Sequence, residues 1–254
     1  MNILAIDTAT EACSAALQVN DKDYLKYQVA PQQHSQLLLA MVEQLLAEAD
    51  LSVGELDGLV FGRGPGSFTG VRIATGMAQG LAMSGNLPTV GVSSLATMAQ
   101  SARHDAHRAG LGAIALAGET PDGKTHCIAA IDARMQEVYF GIFCSNDEGI
   151  MIAQQPEEVL APDQAVAKIA AYLTSLPASQ SVCCVGTGWQ AYEPLQTICD
   201  QDAQLRATQI LYPSADFMLE QAKFDLQAGN TLAPQDIQPL YIRDKVTWKK
   251  LPGR

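Results

Sequence analysis

The chain has 254 residues, 48% of them hydrophobic, and a formal net charge of −11. Its isoelectric point is near 4.7. A chain of this size can bury a substantial core as one large or two small domains. The acidic balance argues against a dedicated nucleic-acid binder and leaves room only for a local basic patch.

The opening Met-Asn-Ile-Leu-Ala-Ile-Asp lacks the basic start and apolar length of a signal peptide. No later run approaches the ~20 apolar residues of a membrane span, so a cytoplasmic location with no membrane contact is expected. Six cysteines (Cys13, Cys127, Cys144, Cys183, Cys184, Cys199) form neither a CxxC pair nor zinc-ligand spacing. Mostly in apolar runs, they read as buried free thiols.

In chain order, Ile3 to Asp7, Ala12 to Val19 and Tyr24 to Val29 read as strands joined by turns short enough for antiparallel hairpins. A helix follows from about Ser35 to Ala49. At 100° per residue its apolar positions Met41, Leu45, Leu38, Ala49, Val42, Leu46 and Leu39 cover roughly 160°, where one core face needs about 100°. The excess predicts a second apolar surface.

Leu59, Val60 and Phe61 form a strand leading into Gly62-Arg-Gly-Pro-Gly-Ser-Phe-Thr-Gly70, a turn of glycines with Ser67 or Thr69 placed to cap the next helix. Such a turn can cradle an anion. Between Thr69 and Met83 the helix carries one charge, Arg72, while Gly70, Ala74, Ala78 and Ala82 recur every fourth residue. Interior glycines cost roughly 1 kcal/mol each against alanine, so Gly70, Gly76 and Gly80 predict a close approach, either by the chain's own sheet or by a second chain. A strand at Thr89 to Val92 and a helix from Ser94 to Ala102 complete a first subdomain, residues 1–102.

Residues 103–126, with Gly110, Gly112, Gly118, Pro121 and Gly123, read as an exposed connection or a loose hairpin, and His104, His107 and His126 as solvated loop histidines rather than metal ligands. The pattern then restarts: Ala130-Ile131-Asp132-Ala133 echoes Ala5-Ile6-Asp7-Thr8. After it come strands at Glu137 to Cys144 and near Ile150, a helix from Pro162 to Leu173, a strand at Val182 to Val185 and a Gly186-Thr-Gly188 turn. This places a second subdomain at 127–215. Asp216 to Ala228 reads as a final helix and Ile237 to Trp248 as an extended tail, with 216–254 packing back on the first half. An internal duplication of a βββαβα unit predicts the α/β architecture of the actin and sugar-kinase superfamily.

The runs Ile3-Leu-Ala-Ile-Asp-Thr-Ala-Thr10, Gly62 to Ile73, Ala130-Ile-Asp-Ala-Arg-Met-Gln-Glu-Val-Tyr139 and Pro239-Leu-Tyr-Ile-Arg243 closely resemble the bacterial TsaB family, nearly end to end. The resemblance implies a noncatalytic subunit in the threonylcarbamoyl modification of adenosine 37 in tRNAs that read codons beginning with A. Its partners would be the catalytic paralogue TsaD and the ATPase TsaE, with a homodimer when alone and tRNA met through the complex. ATP would be used by the wider assembly and no cofactor bound by this chain. TsaD carries a His-x-x-x-His metal motif; Ser94 and Met98 stand at the matching positions here, and neither replaces a histidine ligand. His34 is followed four residues on by Leu38.

The alternative is an enzyme: a kinase-like nucleotide binder or a glycoprotease-type peptidase. Against the first, Asp7-Thr8-Ala9-Thr10 has alanine where superfamily kinases place glycine, and the glycine turn lacks a P-loop lysine. Asp7 and Asp132 read either as paired carboxylates across a cleft or as braces of the hairpin ends. Against the second, Cys13 and His34 have no orienting third group. The expected association surface is Leu38, Met41, Val42, Leu45, Gly70, Arg72, Ile73, Ala74, Met77 and Ala78, with Arg72 setting register at the rim. Arg243, Lys245, Lys249, Lys250 and Arg254 make the tail a local basic site.

Overall fold

The computed structural model describes residues 1–104 and 123–243. Strands β1 (Ile3–Asp7), β2 (Ala12–Val19) and β3 (Lys22–Val29) form an antiparallel meander. Val19 pairs with Lys22, leaving Asn20 and Asp21 as a two-residue loop with φ of 49° and 62°. Two positive φ angles give a turn whose twist matches that of the strands, and Asn and Asp tolerate them better than most side chains.

Helix α1 (His34–Glu48), strand β4 (Gly58–Gly62), helix α2 (Phe68–Gly85) and strand β5 (Thr89–Val92) follow. β4 and β5 add in parallel, so the first sheet runs β3-β2-β1-β4-β5. Ser67 caps α2 by accepting from the Gly70 N–H at 3.3 Å.

After α3 (Ser94–His104) the second half repeats the scheme with β6 (His126–Asp132), β7 (Val138–Ser145), β8 (Met151–Ala153), β9 (Glu158–Leu160), α4 (Pro162–Thr174) and β10 (Val182–Val185). It closes with α5 (Gly188–Ala191), α6 (Glu193–Gln201) and β11 (Leu205–Ala207). Its sheet runs β11-β10-β6-β7-β8, with β9 also on β7. Read from the meander inward, this is the order of the first sheet, with the third strand broken in two. The chain therefore has the duplicated α/β fold of the actin and sugar-kinase superfamily. Among the described residues no helix is long and apolar enough to cross a membrane.

β1 is buried on both faces, which is why it reads as continuous apolar sequence. Leu4 and Ile6 point into one core with α1 and α2. Ile3 and Ala5 point into another, with Ala215 and Met218 of a 3-10 turn and with Leu219 and Ala222 of α7 (Leu219–Ala228). Helix α3, though contiguous with the first half in sequence, packs Leu95, Met98, Ala99 and Ala102 on β6, β7 and β10 of the second sheet. Each sheet thus borrows a helical layer from beyond its own stretch of chain.

The wide apolar arc of α1 has an intramolecular explanation. Leu38, Met41, Val42, Leu45 and Leu46 lie in one cluster with Cys13, Ala15 and Leu17 of β2, Ala78 and Ala82 of α2, and Leu56 and Leu87 from flanking loops. The sheet and the neighbouring helix and loops cover most of what a wheel diagram counts as surplus, leaving Leu39 exposed.

Candidate partner face and interdomain cleft

The glycine turn presses directly on the first hairpin. A Cβ at Gly66 would lie 2.2 Å from the Ala9 carbonyl oxygen, and one at Gly70 2.0 Å from that of Thr8. Thr8 Oγ1 donates to the Gly70 carbonyl at 2.7 Å, and the Ser67 N–H donates to Ala9 O at 2.7 Å. The second half repeats this: a Cβ at Gly186 would lie 2.2 Å from Ala130 O. Gly70 is thus required by the chain's own hairpin.

Asp7 and Asp132 brace their hairpins. Asp7 Oδ1 accepts from the Ala9 N–H at 3.0 Å and Asp132 Oδ1 from the Arg134 N–H at 2.8 Å. Asp7 is fully buried, and Oδ2 finds no hydrogen-bond partner among the described residues. Burial pushes its carboxyl up to about 7 against the opposing Ala9 hydrogen bond. Asp132 also accepts from the Tyr192 hydroxyl at 2.7 Å.

Between the hairpins lies a cleft of about 900 Å³. Thr10, Glu11 and His34 line it from one side, with Ser67, Phe68 and Arg72 at the start of α2. Asp132, Arg134, Met135 and Tyr139 line the other, and Leu240 to Arg243 close one end. Arg134, Met135 and Gln136 have successive φ values of 63°, 55° and 61°, so the second hairpin turn is strained. Residues 240–243 tie the halves together: the Leu240 N–H donates to Arg63 O at 2.8 Å, while Arg243 Nη2 meets Glu137 Oε2 at 2.5 Å and Ala133 O at 3.0 Å.

The expected association residues divide into two groups. Leu38, Met41, Val42, Leu45, Gly70, Ala74 and Ala78 are buried within the chain itself, so they hold the monomer together and cannot be its outer surface. Ile73 and Met77 are partly open, and Gly76, Gly80 and Met83 face outward. At Gly76 and Gly80 an added Cβ would meet open space, with nothing described within 4 Å. Arg72 is not a bare rim charge: its guanidinium lies 3.3 Å from the Phe68 ring centroid and 5.3 Å from that of Tyr241.

Two of the three connection histidines are structured. His104 ends α3 and contacts Glu220 Oε2 at 2.9 Å; His126 begins β6 and bonds the Tyr172 hydroxyl at 2.6 Å. His107 lies outside the described residues. Ser94 and Met98 are buried, with Met98 in the core on the second sheet. Among the described residues no group of three or more His, Cys, Asp or Glu could hold a metal ion. Arg243 is a paired strut rather than part of a free basic tail; Lys245, Lys249, Lys250 and Arg254 lie outside the described residues.

A family model for TsaD, tRNA N6-adenosine threonylcarbamoyltransferase, matches residues 27–251. The chain is 40% identical over 254 residues, all of both chains, to the tRNA threonylcarbamoyladenosine biosynthesis protein TsaB of Escherichia coli (strain K12). The chain belongs to the TsaB family. The TsaB protein of Haemophilus influenzae is 36% identical, over all of this chain and 98% of its own. YeaZ from Pseudomonas aeruginosa superposes with a TM-score of 0.77 at 36% identity, covering 94% of this chain and 99% of that one. Within this TsaB-family chain, sequence reasoning missed the cleft rim. The signal available was Phe68 beside Arg72 at helical i, i+4 spacing, which stacks two side chains on one face.

Proposed function

We propose that this chain is a noncatalytic scaffold in the formation of threonylcarbamoyladenosine at position 37 of tRNAs that read codons beginning with A. It works in the cytoplasm by holding and activating a TsaD paralogue alongside the ATPase TsaE, and it pairs with itself when alone. The wider assembly uses ATP; this chain binds no cofactor of its own. The participation in tRNA modification rests on the family. The scaffold role rests on one observation: α2 carries Gly76 and Gly80 on an outward face where no described residue would come within 4 Å of an added Cβ.

Interior glycines lower helix stability, and the helix's own packing does not use these two. A second helix brought backbone-close does. Ile73, Met77 and Met83 flank the glycines and supply apolar area. The same face on a second copy, or the equivalent helix of a paralogue, gives a symmetric or quasi-symmetric pairing. Against the kinase-like alternative stands Asp7, fully buried in the first hairpin rather than lining the cleft.

The test is reconstituted modification of unmodified tRNA with TsaD and TsaE. The wild-type chain should be required, and Met77→Glu should lose both TsaD binding and modification while melting like wild type. Full modification without this chain, or with a Met77→Glu chain that no longer binds TsaD, would contradict the scaffold reading.

A further inference from the structure

The rim of the interdomain cleft has a composition that neither packing nor the partner face uses. Phe68 is 66% exposed and Tyr241 48% exposed, with ring centroids 6.2 Å apart and the Arg72 guanidinium against both. Across the cleft the Arg134 side chain is 76% exposed. Its ion-pair contacts, to Glu11 and Asp132, are each 3.6 Å, long and solvated enough to hold it only weakly. Deeper in, His34 lines the cleft at 8% exposure with Nε2 unpartnered among the described residues.

The lining brings Arg72 and Arg134 together with Glu11 and Asp132, and Arg243, paired with Glu137, closes one end. Flat rings, guanidinium planes and a weakly held cation around one concavity are elements with which proteins hold unpaired nucleotides. We propose that this cleft seats an unpaired nucleotide of a single-stranded RNA loop. The base stacks on the Phe68 and Tyr241 rim, Arg134 faces the phosphate, and His34 Nε2 is available to a base edge or ribose hydroxyl. This deepens the reading that the chain acts in tRNA modification and rests on it. A peptide of a protein partner is less well matched, because the outward apolar surface suited to a protein lies on α2, beside the cleft.

The test is fluorescence anisotropy of the full chain with a labelled single-stranded RNA heptamer of anticodon-loop sequence, at two salt concentrations. Phe68→Ala and Tyr241→Ala should each weaken binding about tenfold, while Phe68→Trp should retain it. Arg134→Ala should weaken binding and lower the salt slope by about one. Sedimentation with TsaD, run on the same variants, should be unchanged. Three results would overturn the proposal: no RNA binding by wild type, RNA binding indifferent to Phe68 and Tyr241, or free AMP binding as tightly as the heptamer. Variants that lose TsaD while keeping RNA would assign the cleft to the protein partner instead. None of these results alters whether modification requires the chain, so the scaffold reading is judged separately.

Discussion

A Cβ on Gly62 would stand 1.7 Å from Oδ2 of Asp7. The last residue of β4 is glycine because the carboxyl of β1, one strand over, occupies the space where a side chain would begin. Gly62→Ala should therefore destabilise the chain by about 3 kcal/mol through overpacking. Adding Asp7→Ala should recover most of that loss. Urea denaturation of the single and double variants measures the coupling, and purely additive effects would contradict this contact.

The Asp7 carboxyl also sets a pH dependence. Burial raises it from 3.8 to about 7, so between these values the folded chain binds a proton that the unfolded chain releases. Stability then falls as pH rises through that window, by at most roughly 4 kcal/mol at pH 8. Asp7→Asn keeps an oxygen to accept the Ala9 N–H and removes the titration. Its melting temperature should exceed that of wild type at pH 8, with the gap shrinking towards pH 4. Parallel profiles across that range would show that Asp7 does not titrate this way.

Glu220 behaves in the opposite sense. A hydrogen bond from His104 holds its carboxyl below the usual range, with Arg103 and Gln100 assisting against partial burial. This contact links α3, on the second sheet, to α7, on the first. Its stabilisation is present above the ordinary glutamate value and is lost as pH falls through the lowered one. Because Glu220 is nearly half exposed, Glu220→Gln should cost less than about 1 kcal/mol at pH 7. Thermal melts should show the difference vanish in acid. Gln100, buried, donates to Gly149 O and accepts from the Met151 N–H at 2.9 Å, so Gln100→Ala should cost about 2 kcal/mol.

The duplication was legible because β1 and β6 are buried on both faces and read as Ala-Ile-Asp twice. The segments around β9, α5, α6 and β11 carry no legible signal in the sequence because each is too short for its apolar period to stand out. The swap of helical layers was invisible for another reason: α3 has a suitable apolar stripe whichever sheet it covers. Leu38, Val42 and Leu45 read as outer surface in the sequence because a wheel gives the width of an apolar arc but not how many elements cover it. Arg243 reads as tail charge until Glu137, 106 positions away in sequence, is brought beside it. The rim of Phe68, Arg72 and Tyr241 likewise needs the fold to close before it exists.

Gly76 and Gly80 offer a way to separate folding from association. With open space at both positions, Gly76→Ala and Gly80→Ala should each leave the isolated chain as stable or up to about 1 kcal/mol more stable. The same changes should weaken self-association. Thermal melts at low protein concentration, paired with concentration-dependent light scattering, would show the two effects moving in opposite directions.

The central claim, that the outward face of α2 joins this chain to a TsaD paralogue, is tested most directly by sedimentation velocity of the mixed proteins. Wild type should form a stable complex with TsaD, and Gly80→Leu, which adds bulk to the exposed helix face without touching the chain's own core, should leave both proteins sedimenting as separate folded species. A Gly80→Leu chain that sediments with TsaD as wild type does would place the contact elsewhere.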